Sequence, residues 1–533
     1  MLFHQLCKEY IDIHKGLFYS FVVISTISYI IKIIVTPLIY SNIMDISDSN
    51  FLKIIKQILI LWVLIGVVYI VKLKLENQLF PEFLSFVRQR LLRLFLEKNK
   101  TNFNDSNVSA DITRIFEVTR YMKDVFYWTT QFILPLSLFL ICINFYFFYK
   151  LPILGALNIT CNAIFIGYVY NQYPKLVEKS NQRENTYMDM VKKMDENFNN
   201  LFNIYINNQD QEIIKQNEKI ENEYMVIYKK QNNEVMMFTN TIKTINYFFA
   251  FLCLNVIYLN SKSKFTKKDF VNILLIFTFY IATLENLAED IPFYVMTMGN
   301  IKNAEPFLEN TTKIVKKETY LPTFQGNINI DRISFKYKDK PIFEDFSLNI
   351  KKGERIGIVG ETGKGKSTLM KLILNFYTVH EGTIYLDGHD IKNIDVDDIR
   401  KNINYINQKT ILFNDTILNN MRYGNSASRE EIIGYLKKYD LLRIFHSEEN
   451  LELMIEKNGT NISMGMQKVI FLIRGLAKKC SVYILDEPFS SIDPHTRKNV
   501  LQLINDQTKG KTVIVITHDM DGLENILDEI IKI

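Results

Sequence analysis

The sequence predicts a two-domain chain: an all-α domain of six transmembrane helices, then an α/β domain with a mainly parallel core sheet. Three observations predict it. Six long apolar runs fall between Leu17 and Leu287. Beyond residue 326, strand-like apolar runs alternate with helical ones, the pattern of an α/β fold. A glycine-rich loop, Gly360–Thr368, joins one such strand to one such helix.

A chain of 533 residues is too long for one ordinary core. Its net charge of +5 is small for that length, so no nucleic-acid partner is expected. The five cysteines (Cys7, Cys142, Cys161, Cys253 and Cys480) contain no CxxC pair, and three lie in apolar runs. They read as small buried hydrophobes, not as a disulfide framework or a zinc site. Met1 to Gly16 mixes Lys8, Glu9, Asp12 and Lys15 with apolar residues, which is not a signal-peptide pattern. It suits either a helix lying on the membrane surface or a helix leading into the first span.

A helix needs about 20 mostly apolar residues to cross the hydrocarbon. The spans that qualify are Leu17–Tyr40, Ile54–Leu73, Phe126–Tyr149, Leu151–Tyr170, Asn240–Leu259 and Phe270–Leu287. The third and fourth run almost together. One helix over both would be about twice the apolar thickness, so a hairpin is expected at Tyr149-Lys150-Leu151-Pro152. Pro152 suits the start of the returning helix. The stretches after spans two and four are long, charged and poor in Gly and Pro, and read as helices projecting from the membrane. The first carries Lys72, Lys74, Arg88, Arg90, Arg93, Lys98 and Lys100, which places it in the cytosol. The loop after span five, with Lys262, Lys264, Lys267 and Lys268, breaks that rule. Lys32, Asn144, Asn158, Asn162, Lys243, Asn246 and Asn255 are polar residues inside spans, and Glu285 lies near an end. Lys32, deep in span one, is the candidate to face a cavity or an anionic substrate group, against snorkelling or pairing in the bundle.

The loop Gly360-Glu361-Thr362-Gly363-Lys364-Gly365-Lys366-Ser367-Thr368 follows a strand, Arg355 to Val359, and opens a helix at Ser367. That is the context of a phosphate-binding loop. Its glycines let backbone N–H groups curl around phosphates, and the helix N-terminus adds positive potential. Lys366 is expected to reach the β- and γ-phosphates of ATP, and Ser367 to ligate Mg²⁺. Farther on, Val482-Tyr483-Ile484-Leu485 forms a buried strand ending in Asp486-Glu487. Asp486 would hold Mg²⁺ through its water shell, and Glu487 would orient and polarise the attacking water.

With these motifs the chain resembles the ATP-binding-cassette (ABC) superfamily, and its layout resembles the six-span half-transporter exporters. The likeness covers essentially the whole length: residues 1–310 as the transmembrane domain, 311–325 as a linker, and 326–533 as the nucleotide-binding domain. It implies further roles. Tyr337 matches the aromatic that stacks on adenine, Gln408 the glutamine that senses Mg²⁺, and His518 the switch histidine that contacts the γ-phosphate. Ser490-Ser491-Ile492-Asp493 resembles the loop that crosses the dimer interface. The signature segment departs from the family's Leu-Ser-Gly-Gly-Gln, reading Ile462-Ser463-Met464-Gly465-Met466. Ser463 and the N–H of Gly465 remain to bind the γ-phosphate held by the opposite subunit. Met464 would carry a cost of about 1–2 kcal/mol if its position needs positive φ, and Met466 lacks the amide of the glutamine it replaces. Lys457 stands where the family usually has an acid. Asn197–Ile206 resembles the second coupling segment, and Asp111–Val118 is a candidate for the first.

The resemblance implies an ATP-driven exporter half-subunit, an ATPase working as a homodimer or as a heterodimer with another ABC half-transporter. Its cytosolic domain would drive an unidentified substrate across a lipid membrane. The rival expectation is an ATP-gated regulatory or channel-like membrane protein with weak hydrolysis.

Overall fold

The computed structural model describes residues 2–45, 51–100, 108–264, 266–312, 324–337, 340–361, 363–408, 411–456, 459–518, 523–524 and 526–533. They fall into two compact units: the N-terminal helices, and the residues from Phe324 onward together with Leu96–Lys100.

The first unit is all helical. It comprises α1 (Leu2–Ile13), α2 (Lys15–Ile30), α3 (Thr36–Tyr40), α4 (Phe51–Lys98), α5 (Val108–Trp128), α6 (Leu134–Lys150), α7 (Pro152–Asn199), α8 (Leu201–Ile206), α9 (Asp210–Lys264) and α10 (Lys267–Thr312). Six helical stretches are long and apolar enough to cross a membrane: Lys15–Ile43, Phe51–Lys98, Asp111–Lys150, Pro152–Asn199, Asp210–Asn260 and Lys267–Lys302. Each contains one expected span. Four run well past the apolar window, as the charged, Gly-poor flanks demand. At 1.5 Å per residue, α9 alone is about 80 Å long. The hairpin falls at Leu151, which is extended (φ −154, ψ 103) between the end of α6 and Pro152 of α7.

The N-terminal helix inserts one face into the bundle. Leu6 and Tyr10 are buried, and the Tyr10 hydroxyl donates to the Leu79 carbonyl at 2.9 Å. Tyr10 also meets Phe83 edge-on, and Phe83 stacks on Phe126 at 4.0 Å.

Two π-helical turns interrupt the spans, Ile31–Val35 and Thr129–Ile133. Each lies just before a proline, Pro37 and Pro135 respectively. A proline ring crowds the carbonyl four residues back and offers it no N–H, so the helix widens there. Within the first turn, Ile31 O accepts from both the Thr36 N–H and the Thr36 hydroxyl, the latter at 2.9 Å.

Most polar residues of the spans find partners within the bundle. Asn158 donates to Asn144 at 2.6 Å, the Tyr280 hydroxyl donates to Asn162 at 2.8 Å, Asn255 bonds Phe251 O, and Lys243 pairs with Glu289. Asn246 is fully buried with neither amide atom hydrogen-bonded among the described residues.

The second unit is α/β. Its strands are β1 (Ile328–Tyr337), β2 (Lys340–Ile350), β3 (Arg355–Val359), β4 (Glu381–Leu386), β5 (His389–Asp390), β6 (Ile403–Ile406), β7 (Val482–Asp486), β8 (Thr512–Ile516) and β9 (Glu529–Lys532). Its helices are α11 (Lys366–Ile373), α12 (Val396–Asn402), α13 (Ile417–Arg422), α14 (Arg429–Lys438), α15 (Met464–Leu476) and α16 (Pro494–Gln507). A parallel sheet runs β6-β7-β8-β3-β9, and an antiparallel sheet runs β2-β1-β4-β5. β7 and β8 are buried along their whole length, as expected for central parallel strands. One core packs α11 between the two sheets. A second joins α13, α14 and α15 to the opposite side of β7.

Candidate nucleotide site

β3 ends at Val359, just before Gly360, and α11 begins at Lys366 with Gly365 as its N-cap at φ +96. Only glycine suits that cap. A Cβ there would sit 2.6 Å from Ile342 Cγ2 and 2.9 Å from Phe343 Cζ, on top of the left-handed backbone. A Cβ on Gly360 would meet the Ile533 carbonyl at 2.3 Å. The loop is therefore a bare backbone cradle whose N–H groups and helix N-terminus offer positive potential to an anion. Lys366 curls over it, its Nζ donating to the carbonyls of Gly360 at 2.6 Å and Glu361 at 3.0 Å. Gly363 (φ +89) and Lys364 complete the turn, while Thr362 lies outside the described residues. Thr368 Oγ1 lies 3.5 Å from the Tyr337 hydroxyl, so the aromatic at the end of β1 stands beside the loop, edge-on to Phe335 and Tyr377.

Parallel pairing of β7 with β8, and of β8 with β3, sets Asp486 and Glu487 beside the loop. Ser367 Oγ lies 3.4 Å from Asp486 Oδ2. The Tyr405 hydroxyl donates to the same oxygen at 2.7 Å. Burial pushes the Asp486 carboxyl above its ordinary range, and the Tyr405 hydrogen bond opposes that shift. Gln408 is exposed just past the end of β6.

Glu487 leaves the strand at φ +48, a conformation costly for a non-glycine residue unless its surroundings enforce it. Four contacts do so. Its N–H donates to Ile516 O at 2.8 Å, Thr517 Oγ1 donates to Oε2 at 3.2 Å, and the His518 N–H donates to Oε1 at 3.1 Å. His518 Nδ1 lies 2.8 Å from Oε1. A carboxylate held at both oxygens beside a phosphate cradle has the geometry of a general base or water-orienting group.

Ser463 and Gly465 stand apart from this cluster. Among the described residues neither hydrogen-bonds to the phosphate loop. The Ser463 hydroxyl caps α15, accepting from Met466 N–H at 3.2 Å, and a Cβ on Gly465 would lie 3.4 Å from Ser491 O. The backbone cost anticipated for Met464 does not arise. Met464 is the first residue of α15, with helical geometry, and its side chain is 69% exposed. The amide missing at Met466 has a neighbour: Gln467 Nε2 donates to Gly459 O at 2.9 Å and latches the preceding loop. Lys457 lies outside the described residues.

Three residues near the site were not singled out from sequence: Tyr405, Thr517 and Lys468. Lys468 is 4% exposed on α15, and its Nζ has no hydrogen-bond partner among the described residues. Burial lowers its pKa to about 8, against the pull of the Asp486 and Glu487 charges. Tyr405 was legible only as an alternate position on β6, three residues before Gln408. Asp111–Val118, the first coupling candidate, lies inside the continuous helix α5. Lys100, grouped with the second unit, pairs with Asp397 at 2.7 Å. Asn197–Ile206 spans the end of α7 and the short α8, with Phe202, Tyr205 and Ile206 exposed.

The family model for the ABC transporter matches residues 343–490, a stretch holding the phosphate loop, the signature segment and the Asp486-Glu487 pair. The C-terminal domain belongs to the ABC transporter family. The chain is 37% identical over 209 residues to an ATP-dependent lipid A-core flippase of Syntrophus aciditrophicus (strain SB), covering 38% of this chain and 34% of that protein. It is 36% identical over 221 residues to the mitochondrial iron-sulfur clusters transporter ATM1 of Debaryomyces hansenii, covering 40% and 30%. The alignments thus span about a third of the length of these curated relatives. The fold likeness reaches farther. The structure of a bacterial Atm1-family ABC exporter with ATP bound matches 98% of this chain and 93% of its own, with a TM-score of 0.82 at 19% identity. Six long helical segments followed by an α/β ABC domain are therefore the fold of an ABC half-exporter.

Proposed function

We propose that the chain is an ATP-driven exporter half-subunit, hydrolysing ATP at an interface between two such domains to move a substrate across a membrane. The observation that carries this reading is the Glu487 carboxylate, fixed by Thr517 and His518 beside the phosphate loop. Lys366 and the loop N–H groups would bind the β- and γ-phosphates, and Tyr337 would lie against the base. Glu487 would orient water and accept its proton, with His518 sharing charge through Nδ1. Asp486 and Ser367 offer converging oxygens, the donor type Mg²⁺ takes, and Gln408, two residues past β6, would add a third. Magnesium bound with the nucleotide would neutralise charge on the phosphate oxygens. Ser463 and Gly465 are free to serve a partner's nucleotide, which requires a homodimer or a heterodimer with another half-transporter. The phosphate loop would face the cytosol. The test is ATP turnover by the purified chain in lipid nanodiscs beside Glu487→Gln. Turnover that the substitution abolishes supports the reading, and turnover that survives it sinks the assignment of Glu487.

One observation favours a second reading, an ATP-gated regulatory or channel-like protein. The exposed Met464 places an apolar side chain where the signature would meet a partner's phosphate. ATP binding without turnover, in a chain able to pair with itself, would support this second reading.

A further inference from the structure

Lys32 stands about 12 Å along the helix from Tyr40, the nearer end of the expected first span and about twice the reach of a lysine side chain. That is too deep for its ammonium to snorkel to the headgroups. Its side chain is exposed, and among the described residues it has no hydrogen bond or ion pair. An unpaired charge at that depth is expensive, so it is retained only where it meets water or a ligand. The surroundings are those of a small site. A cavity of about 190 Å³ beside Lys32 is lined by Ser28, Ile31, Thr36, Ile65, Val68 and Phe279. Ser28, Lys32 and Thr36 recur at four-residue spacing along one helical stretch, bringing two hydroxyls and an ammonium to the same cavity. The π-turn Ile31–Val35 falls within this stretch and widens the helix at Lys32 itself. Opposite the polar edge, Ile65, Val68 and Phe279 form an apolar wall.

We propose that this cavity receives the anionic headgroup of an amphipathic substrate, with Lys32 as its counter-ion, Ser28 as a hydroxyl donor, and the apolar wall against the tail. The volume suits a phosphate or carboxylate headgroup, not a whole lipid. The inference rests on reading this domain as a translocation path and names the substrate class for it.

The test uses the full chain in nanodiscs of zwitterionic lipid, with thermal unfolding followed against dodecyl phosphate, dodecanol and inorganic phosphate. The wild-type chain should show a saturable stabilisation by dodecyl phosphate and none by dodecanol. Lys32→Gln should weaken that binding by about 10-fold or more, while Lys32→Arg stays within about 3-fold of wild type. Phosphate also fits the Gly360–Thr368 loop, but that part of any shift is common to both proteins. The difference between wild type and Lys32→Gln therefore isolates the site. Equal binding by the two, or no saturable binding to wild type, overturns the proposal. A Lys32-dependent response to phosphate equal to that to dodecyl phosphate also overturns it, by assigning a free-anion site. Failure of the exporter reading itself would appear separately, as absent ATP turnover, and leaves the titration decidable.

Discussion

The Tyr405 hydroxyl, on β6, donates to the Asp486 carboxylate on the neighbouring strand β7 at 2.7 Å, on the same oxygen that faces Ser367. The two strands pair in parallel with Tyr405 opposite Ile484, which carries the ring to the end of β7. The bond holds a buried carboxylate in one rotamer beside Ser367, where the proposed Mg²⁺ would take its donors.

Tyr405→Phe removes this donor without changing ring volume. A hydrogen bond to a charged group is worth about 1.5–3 kcal/mol. Turnover at saturating ATP should fall by about 10-fold or more, while the affinity for ATP stays within about 2-fold. Steady-state kinetics beside equilibrium binding of a fluorescent ATP analogue reads both. Unchanged turnover would show that Asp486 is positioned without Tyr405.

Lys468 links stability to pH. Its folded pKa, about 8, lies below the ordinary 10.5, so the folded state resists the charged form. Below pH 8 both states are protonated and the folded state carries the full penalty. Between pH 8 and 10.5 the unfolded chain holds the extra proton, so stability rises with pH. Lys468→Met should therefore stabilise the chain at pH 7, by on the order of 2–3 kcal/mol at most, with the advantage shrinking toward pH 10. Thermal unfolding across that range checks it. A constant difference between the two proteins would refute the link.

Gly365→Ala combines a left-handed φ with a Cβ driven into Ile342 and Phe343. A loss of more than about 1 kcal/mol of stability is expected, together with loss of ATP binding, because the loop must move to relieve the clash. A fluorescent nucleotide titration and a thermal melt follow the two effects.

His518→Ala deletes the Nδ1 contact to Glu487 but keeps the backbone N–H bond to the same carboxylate. Turnover should drop by about 100-fold, with the melting temperature little changed because the ring is exposed. A comparable loss of stability would mean that the histidine serves the fold.

The signature departs in chemistry without backbone strain, since Met464 opens α15 in helical geometry. Met464→Gly with Met466→Gln should raise turnover through contacts with a partner subunit. Turnover that stays the same in the purified dimer would retire the idea of a weakened ATP sandwich.

Much of this protein is written locally. Apolar runs of span length, the break at Leu151-Pro152, the Gly360–Thr368 loop and the strand ending in Asp486-Glu487 each follow from neighbouring residues. Helix length, turn chemistry and phosphate-loop geometry are short-range physics, so the sequence by itself determined the two-part architecture and the position of the phosphate cradle. What remained hidden depends on residues far apart in the chain. Tyr405 meets Asp486 only through the register of β6 on β7, and Glu487 is clamped by Thr517 and His518 only because β8 lies beside β7. Met464 escapes positive φ because Ser463 caps α15, a boundary that propensity leaves uncertain by a residue or two. Lys32 is visible in any reading of the first span, but that it has no partner among the described residues and borders a cavity with Ile65 and Phe279 was decided by the packing of three helices. Side-chain environment is a property of the assembled core, and no local pattern encodes it.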